Sequence, residues 1–181
     1  DGVIYSQSLA ILRWAGRQAN LYPDHLQLRC DMVIQCIVDI RDHLLPLWYQ
    51  AACRRHPTTG VPMVKLSEAQ MTEARAFILD EILPVRLAQL ERTLLSAPTR
   101  EGHFCGPLTI CDLVVYTFGD EILDGTVAVI GLPPNTLDPF PHLLHLIHKV
   151  GAHPDVKAWN DGVRIRENKP NRLGRRSSLV L

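Results

Sequence analysis

Tyr5-Ser6-Gln7-Ser8-Leu9-Ala10-Ile11-Leu12-Arg13-Trp14-Ala15 is the stretch on which the fold of this chain turns. It passes from strand formers to helix formers within a few residues. Val3, Ile4 and Tyr5 favour a strand. Asp1-Gly2 just before them suits a tight hairpin turn, whose central positions need positive φ. From Gln7 to about Ala19 the residues read as a helix, with the Ser8 hydroxyl placed to cap its start. One strand cannot pair its own backbone groups. The reading therefore expects a sheet upstream of Asp1, and, since the first residue is not Met, a true N-terminus elsewhere.

Downstream the pattern is helical. Tyr22-Pro23-Asp24 breaks the chain as a linker. From Asp24 to about Arg55, Val33, Ile37, Ile40, Leu44, Leu47 and Ala51 recur at spacings of three and four, which lays them along one face. Pro46 is expected to kink that helix. His56 to Lys65 reads as a loop. Ser67-x-x-Gln70 is a capping box, in which a hydroxyl and an amide satisfy each other's backbone N–H groups. It opens a helix to about Ser96 with two apolar faces, bent at Pro84. Thr109-Ile110-Cys111-Asp112 is a second box of the same kind, flanked by a Leu108–Leu113 staple. Its helix carries Ile110, Val114, Phe118 and Ile122 inward. Pro141 to about Val150 and Pro154 to about Asp161 form two short helices, and a basic surface tail follows from Arg164.

Composition narrows the options. The chain has 181 residues, 46% of them apolar, enough for one domain and part of another. The 19 basic and 19 acidic residues cancel, but the tail from Arg164 holds six basic residues and one acid. The tail is thus +5 and the body −5, which argues against nucleic acid as partner. No apolar run reaches membrane-spanning length. Five cysteines at 30, 36, 53, 105 and 111 include no Cys-x-x-Cys pair. They are expected to be structural thiols in a reducing, cytoplasmic compartment, without a disulfide framework. His142, His145 and His148 step round a helix at intervals of three instead of converging as an i, i+4 pair does, so no metal is expected there. Arg175-Arg176-Ser177-Ser178 has the form of a site for a basic-directed kinase.

The run Tyr5–Ala15 resembles the end of the thioredoxin-like domain of cytosolic glutathione transferases, where a strand leads into Gln/Glu-Ser-x-Ala-Ile and a helix. The resemblance continues through Leu21-Tyr22-Pro23, like that family's interdomain linker, and through Leu108–Leu113, like the box and staple of its central helix. It spans nearly the whole chain and is nearest the sigma- and pi-like branch. It implies a mainly α fold: residues 1–22 as the remnant of a thioredoxin-like α/β domain (one strand, one helix), 23–163 as an all-helical C-terminal domain, 164–181 as a flexible tail.

The resemblance also implies a site. Gln7 and Ser8 would hold the γ-glutamyl end of glutathione. A carboxylate is well received at a helix N-terminus, where free N–H groups and the helix dipole meet it. The ammonium needs an acid, which in this branch comes from the partner subunit of a homodimer. Aligned on Asp31, the matching residue is Asp39, with Asp42 one turn further on. Positions 28, 32, 35, 39, 42, 46 and 49 form one stripe, acidic in the middle and aromatic at Tyr49. His43, Trp48 and Tyr49 are candidates for an apolar pocket that takes a hydrophobic electrophile. The family's thiol-activating Tyr or Ser and its cis-proline loop match nothing here, so no catalytic residue is assigned and activity is expected of a longer parent. The expected reaction is conjugation of the glutathione thiolate to an electrophile, with isomerisation of a prostaglandin-like substrate as a variant. A non-catalytic module for binding or assembly remains the alternative, since one fold serves many functions.

Overall fold

The computed structural model describes residues 4–52, 55–56, 59–99, 101–125, 127 and 130–167, the backbone alone at 52 and 163–167. Helix α1 spans Ser8–Gln18 and α2 spans Gln27–Ala52 after a 3-10 turn at Asp24–Leu26. Helix α3 spans Glu68–Phe77, α4 Leu83–Leu95, α5 Ile110–Leu123, α6 Pro141–Gly151 and α7 Pro154–Glu167. Helix α5 is central: it packs on α2, α6 and α1. Ile110, Cys111, Val115, Tyr116, Phe118 and Ile122 are all buried along it. A helix with apolar residues on more than one face has to be covered on more than one side, and α2 and α6 supply the cover. Of the periodic residues of α2, Val33, Ile37, Ile40, Leu44 and Leu47 are each at most 5% exposed, whereas Ala51, near the end of the helix, is exposed.

Both boxes form. The Ser67 hydroxyl accepts from Gln70 N at 3.3 Å and the Gln70 amide oxygen accepts from Ser67 N at 2.9 Å. The Asp112 carboxylate accepts from Thr109 N and from the Thr109 hydroxyl, each at 2.8 Å. Leu108 and Leu113 both pack against the core. The helix through Pro84 departs from regularity as its proline requires. One π turn, Ile78–Ile82, interrupts it, and Pro84 then sits in the first turn of α4, where its missing N–H leaves no gap in the ladder. Helix α2 runs through Pro46 without ending.

Three expectations need correction. Ile4 and Tyr5 form no strand; they are 94% and 76% exposed, and among the described residues no second strand is there to pair with them. Ser8 is not the cap of α1. Gln7 holds that place with φ 74°, and its carbonyl accepts from Ala10 N at 3.0 Å and Ile11 N at 3.1 Å. A preference of about 1 kcal/mol for serine at a cap does not fix a boundary to the residue. The last helix passes the expected boundary at Arg164 and continues to Glu167. Asp1–Val3, Cys53 and the tail from 168, with its Arg175–Ser178 string, lie outside the described residues.

Candidate functional site

The start of α1 carries Gln7 and Ser8, both exposed. Gln7 makes no side-chain cap to this helix, and among the described residues no acceptor side chain serves its opening N–H groups. Gln7 is one of two non-glycine residues with positive φ among those described. For a side chain with a Cβ that backbone is costly, and such residues gather at ligand sites. Helix α1 is fixed from behind. Arg13 Nε donates to Asp31 Oδ1 of α2 at 3.0 Å. Buried Gly16 lies so close to α5 that a Cβ there would stand 2.6 Å from Ile110 Cγ2.

The stripe predicted on α2 is its outward face. Leu28 is 78% and Met32 60% exposed, Gln35, Asp42 and Pro46 are exposed, and Asp39 and Tyr49 are half-buried. The Gln35 amide donates to Asp39 Oδ1 at 2.9 Å, which orients the carboxylate. Asp39 lines a groove of about 280 Å³ between α2 and α4, with Met32, Cys36, Arg86 and Thr93 among its walls. Within one chain Asp31, which meets α1, lies eight residues before Asp39. That is about 12 Å of helix rise, and no contact brings Asp39 to Gln7 or Ser8.

A larger pocket of about 550 Å³ opens at the other end of the stripe. His43 and Tyr49 line it, as does Asp42. Trp48 does not. It is half-buried against the core, edge-on to Tyr49 with ring centroids 5.5 Å apart. Among the walls that the sequence reading missed are Met63, Leu66, Phe77 and Ile78. Phe77, the last residue of α3, and Ile78, the first of the π turn, follow Ala74 at i+3 and i+4, a signal that was available. Met63 and Leu66 come from the loop, which Gln50 pins to the end of α2. The Gln50 side chain accepts from Leu66 N at 3.1 Å and donates to Val64 O at 3.4 Å.

The three histidines of α6 are exposed. His142 is taken by Glu91 of α4: the ring Nδ1 lies 2.7 Å from Oε1, and the same carboxylate accepts from His142 N and Leu143 N at 3.0 and 2.9 Å. Glu91 is thus the cap of α6, delivered from another helix.

These features define a class: a helical domain around a central capped helix, with a short docked helix offering its N-terminus and an outward acidic-to-aromatic stripe beside an apolar pocket. A family model described as glutathione S-transferase, C-terminal domain, matches residues 56–161, more than half of the chain. The chain belongs to the glutathione S-transferase family. Three solved structures share the fold. One is titled NaGST1, at TM-score 0.69 and 20% identity over 96% of this chain and 72% of that one. Rat hPGDS in complex with a quinoline aligns at TM-score 0.64 and 21% identity over 90% and 69%. The Pi-class glutathione S-transferase of Onchocerca volvulus aligns at 0.62 and 20% over 95% and 72%. Among curated proteins none matches.

Proposed function

We propose that the protein is a cytoplasmic glutathione transferase that works as a homodimer and conjugates the glutathione thiolate to an apolar electrophile. The observation that carries this reading is the exposed start of α1, where Gln7 adopts positive φ and no side chain among the described residues supplies a cap. In the proposed site the γ-glutamyl carboxylate accepts from the N–H groups at the head of α1 and from the Ser8 hydroxyl, while the Gln7 amide holds the same end. Asp39 of the partner subunit pairs with the ammonium, and Asp42 is its alternative one turn on. Exposed Leu28 and Met32 lie on the stripe with Asp39 and give the partner an apolar surface to cover.

The electrophile would enter the pocket beside His43 and Tyr49, whose volume of about 550 Å³ is of the size that small-molecule sites have. The rat hPGDS structure, whose fold is similar, holds a quinoline; a planar, mostly apolar group is the kind of substrate this pocket suits. Lowering the pKa of the glutathione thiol needs a donor aimed at the sulfur. The resemblance assigns that donor to the thioredoxin-like part upstream of Tyr5, so the role proposed for the present residues is to bind and orient.

Calorimetric titration of glutathione into the longest naturally encoded form, beside Ser8→Ala and Asp39→Ala, tests the proposal. Each variant is expected to bind at least tenfold more weakly, about 1.4 kcal/mol. No binding by the parent form would sink the transferase reading and leave a module for binding or assembly.

A further inference from the structure

Three cysteines distant in sequence meet in the core. Cys30 comes from α2, Cys105 from the loop before α5 and Cys111 from the first turn of α5, and none is more than 2% exposed. Cys105 Sγ lies 3.5 Å from Cys30 Sγ and 3.9 Å from Cys111 Sγ, with all three sulfurs within 4.8 Å of one another. A metal–sulfur bond of about 2.3 Å sets sulfurs about 3.8 Å apart around a tetrahedral ion and about 4.0 Å apart around a trigonal one. One ion could therefore touch all three with little movement. Cys105 is the adaptable member, carried on a loop where Gly102 and Gly106 supply left-handed turns at φ 75° and 96°.

The ligand set stops at three. Among the described residues no fourth His, Cys or carboxylate joins the group. Asp112 is the nearest acid, but its oxygens already accept from Phe104 N, Thr109 N and the Thr109 hydroxyl. Structural zinc almost always takes four ligands, so this set does not suit zinc.

Charge selects among ions content with three sulfurs. The Asp112 carboxylate lies beside the sulfurs: the Thr109 hydroxyl that donates to it is 3.1 Å from Cys111 Sγ. A dry pocket beside a carboxylate opposes any complex with net negative charge. Three thiolates leave two negative charges around monovalent copper, one around zinc and none around a trivalent ion.

We propose that Cys30, Cys105 and Cys111 form a binding site for a trivalent thiophilic metalloid, with arsenite as the aqueous species. Arsenous acid exchanges three As–O bonds for three As–S bonds. Each thiol proton leaves with one hydroxide as water, arsenic stays trivalent and no electrons move. Glutathione binding plays no part in it, so the site stands or falls apart from the transferase reading.

The test is to titrate the fully reduced full-length protein with arsenite and record arsenic-edge X-ray absorption. One arsenic per chain is expected, bound by three sulfurs and no oxygen. Cys30→Ser, Cys105→Ser and Cys111→Ser are each expected to weaken binding about 100-fold or more, since even changes outside the ligand shell cost roughly 10–100-fold. Cys36→Ser and Cys53→Ser should bind as the parent does. Should a buried serine prevent folding, the parent's absorption spectrum still decides. Oxygen in the shell, binding lost in Cys36→Ser or Cys53→Ser, no binding, or displacement of arsenite by equimolar zinc or monovalent copper would overturn the proposal.

Discussion

Replacing Asp112 by alanine is the sharpest test of what holds α5 in place. The side chain is fully buried and accepts three hydrogen bonds, from Phe104 N at 2.9 Å and from Thr109 N and the Thr109 hydroxyl at 2.8 Å each. Alanine removes every acceptor. The hydroxyl can turn to Cys111 Sγ, 3.1 Å away, but the two backbone N–H groups have no such alternative, and Phe104 and Thr109 are both 0% exposed. Each orphaned buried donor costs about 1–3 kcal/mol, or about 2–6 kcal/mol for the pair. Part is returned, because a carboxyl whose pKa burial pushes up no longer has to be ionised in the core. The expected net loss is about 3 kcal/mol, which for a chain of this size lowers Tm by about 6–12 °C. Asp112→Asn keeps one acceptor but turns an NH2 toward a donor, and should lose about half as much. Urea denaturation followed by circular dichroism and by tryptophan fluorescence, with coincident transitions, gives both values. A loss below about 1 kcal/mol for alanine would refute the reasoning, since the two N–H groups would then be finding partners that this geometry does not provide.

Two further substitutions examine packing and ionisation. In Gly119→Ala the new Cβ would lie 2.2 Å from Ile147 Cδ1 and 2.7 Å from Cγ1, forcing α5 and α6 apart at a cost of about 1–3 kcal/mol. Ile147→Val in the same chain should recover part of it in a double-mutant cycle, and additive losses would show that the two helices do not meet as described. Burial pushes the Glu121 carboxyl above its ordinary 4.5, and Arg41, 3.0 Å away, draws it only part of the way back. The folded chain therefore binds this proton more tightly than the unfolded one. Its contribution is largest below the unfolded pKa and falls as pH rises through the folded one. The stability of the parent relative to Glu121→Gln, followed by urea denaturation, should accordingly decline as pH rises above the ordinary carboxylate range; an increase would reverse the assignment.

What the sequence made legible was set by range. Both capping boxes were readable because donor and acceptor lie three residues apart and the helix itself brings them together. The buried face of α2 was readable for the same reason, and so was its outward stripe. The boundary at Gln7 was not, because a one-residue shift turns on a backbone angle that no side-chain preference fixes. The pocket was half readable. His43 and Tyr49 follow from the helix, whereas Met63 and Leu66 arrive only because Gln50 ties a loop back to α2. Least legible was the cysteine cluster: Cys30 and Cys105 stand 75 positions apart, a pairing that exists only once α5 has docked on α2.

The first turn of α5 is where these levels join. Ile110 N donates to Leu21 O at 2.9 Å, and Leu21 N donates to Gly16 O at 2.8 Å. The end of α1 is thus bonded, through the linker, to the residue that begins α5. Gly16 allows that approach because Ile110 fills the space a Cβ would take. The box at Thr109–Asp112 fixes where α5 starts, and Arg13 with Asp31 fixes how α1 is turned toward α2. Gln7 and Ser8 lie at the far end of an eleven-residue helix held at those two points. An eleven-residue helix is about 16 Å long, so a small rotation at its anchored end becomes a displacement of ångströms at its free end. The cap in the core therefore contributes to more than stability: by holding Ile110 against Gly16, it aims the helix whose opening turn is proposed to receive glutathione.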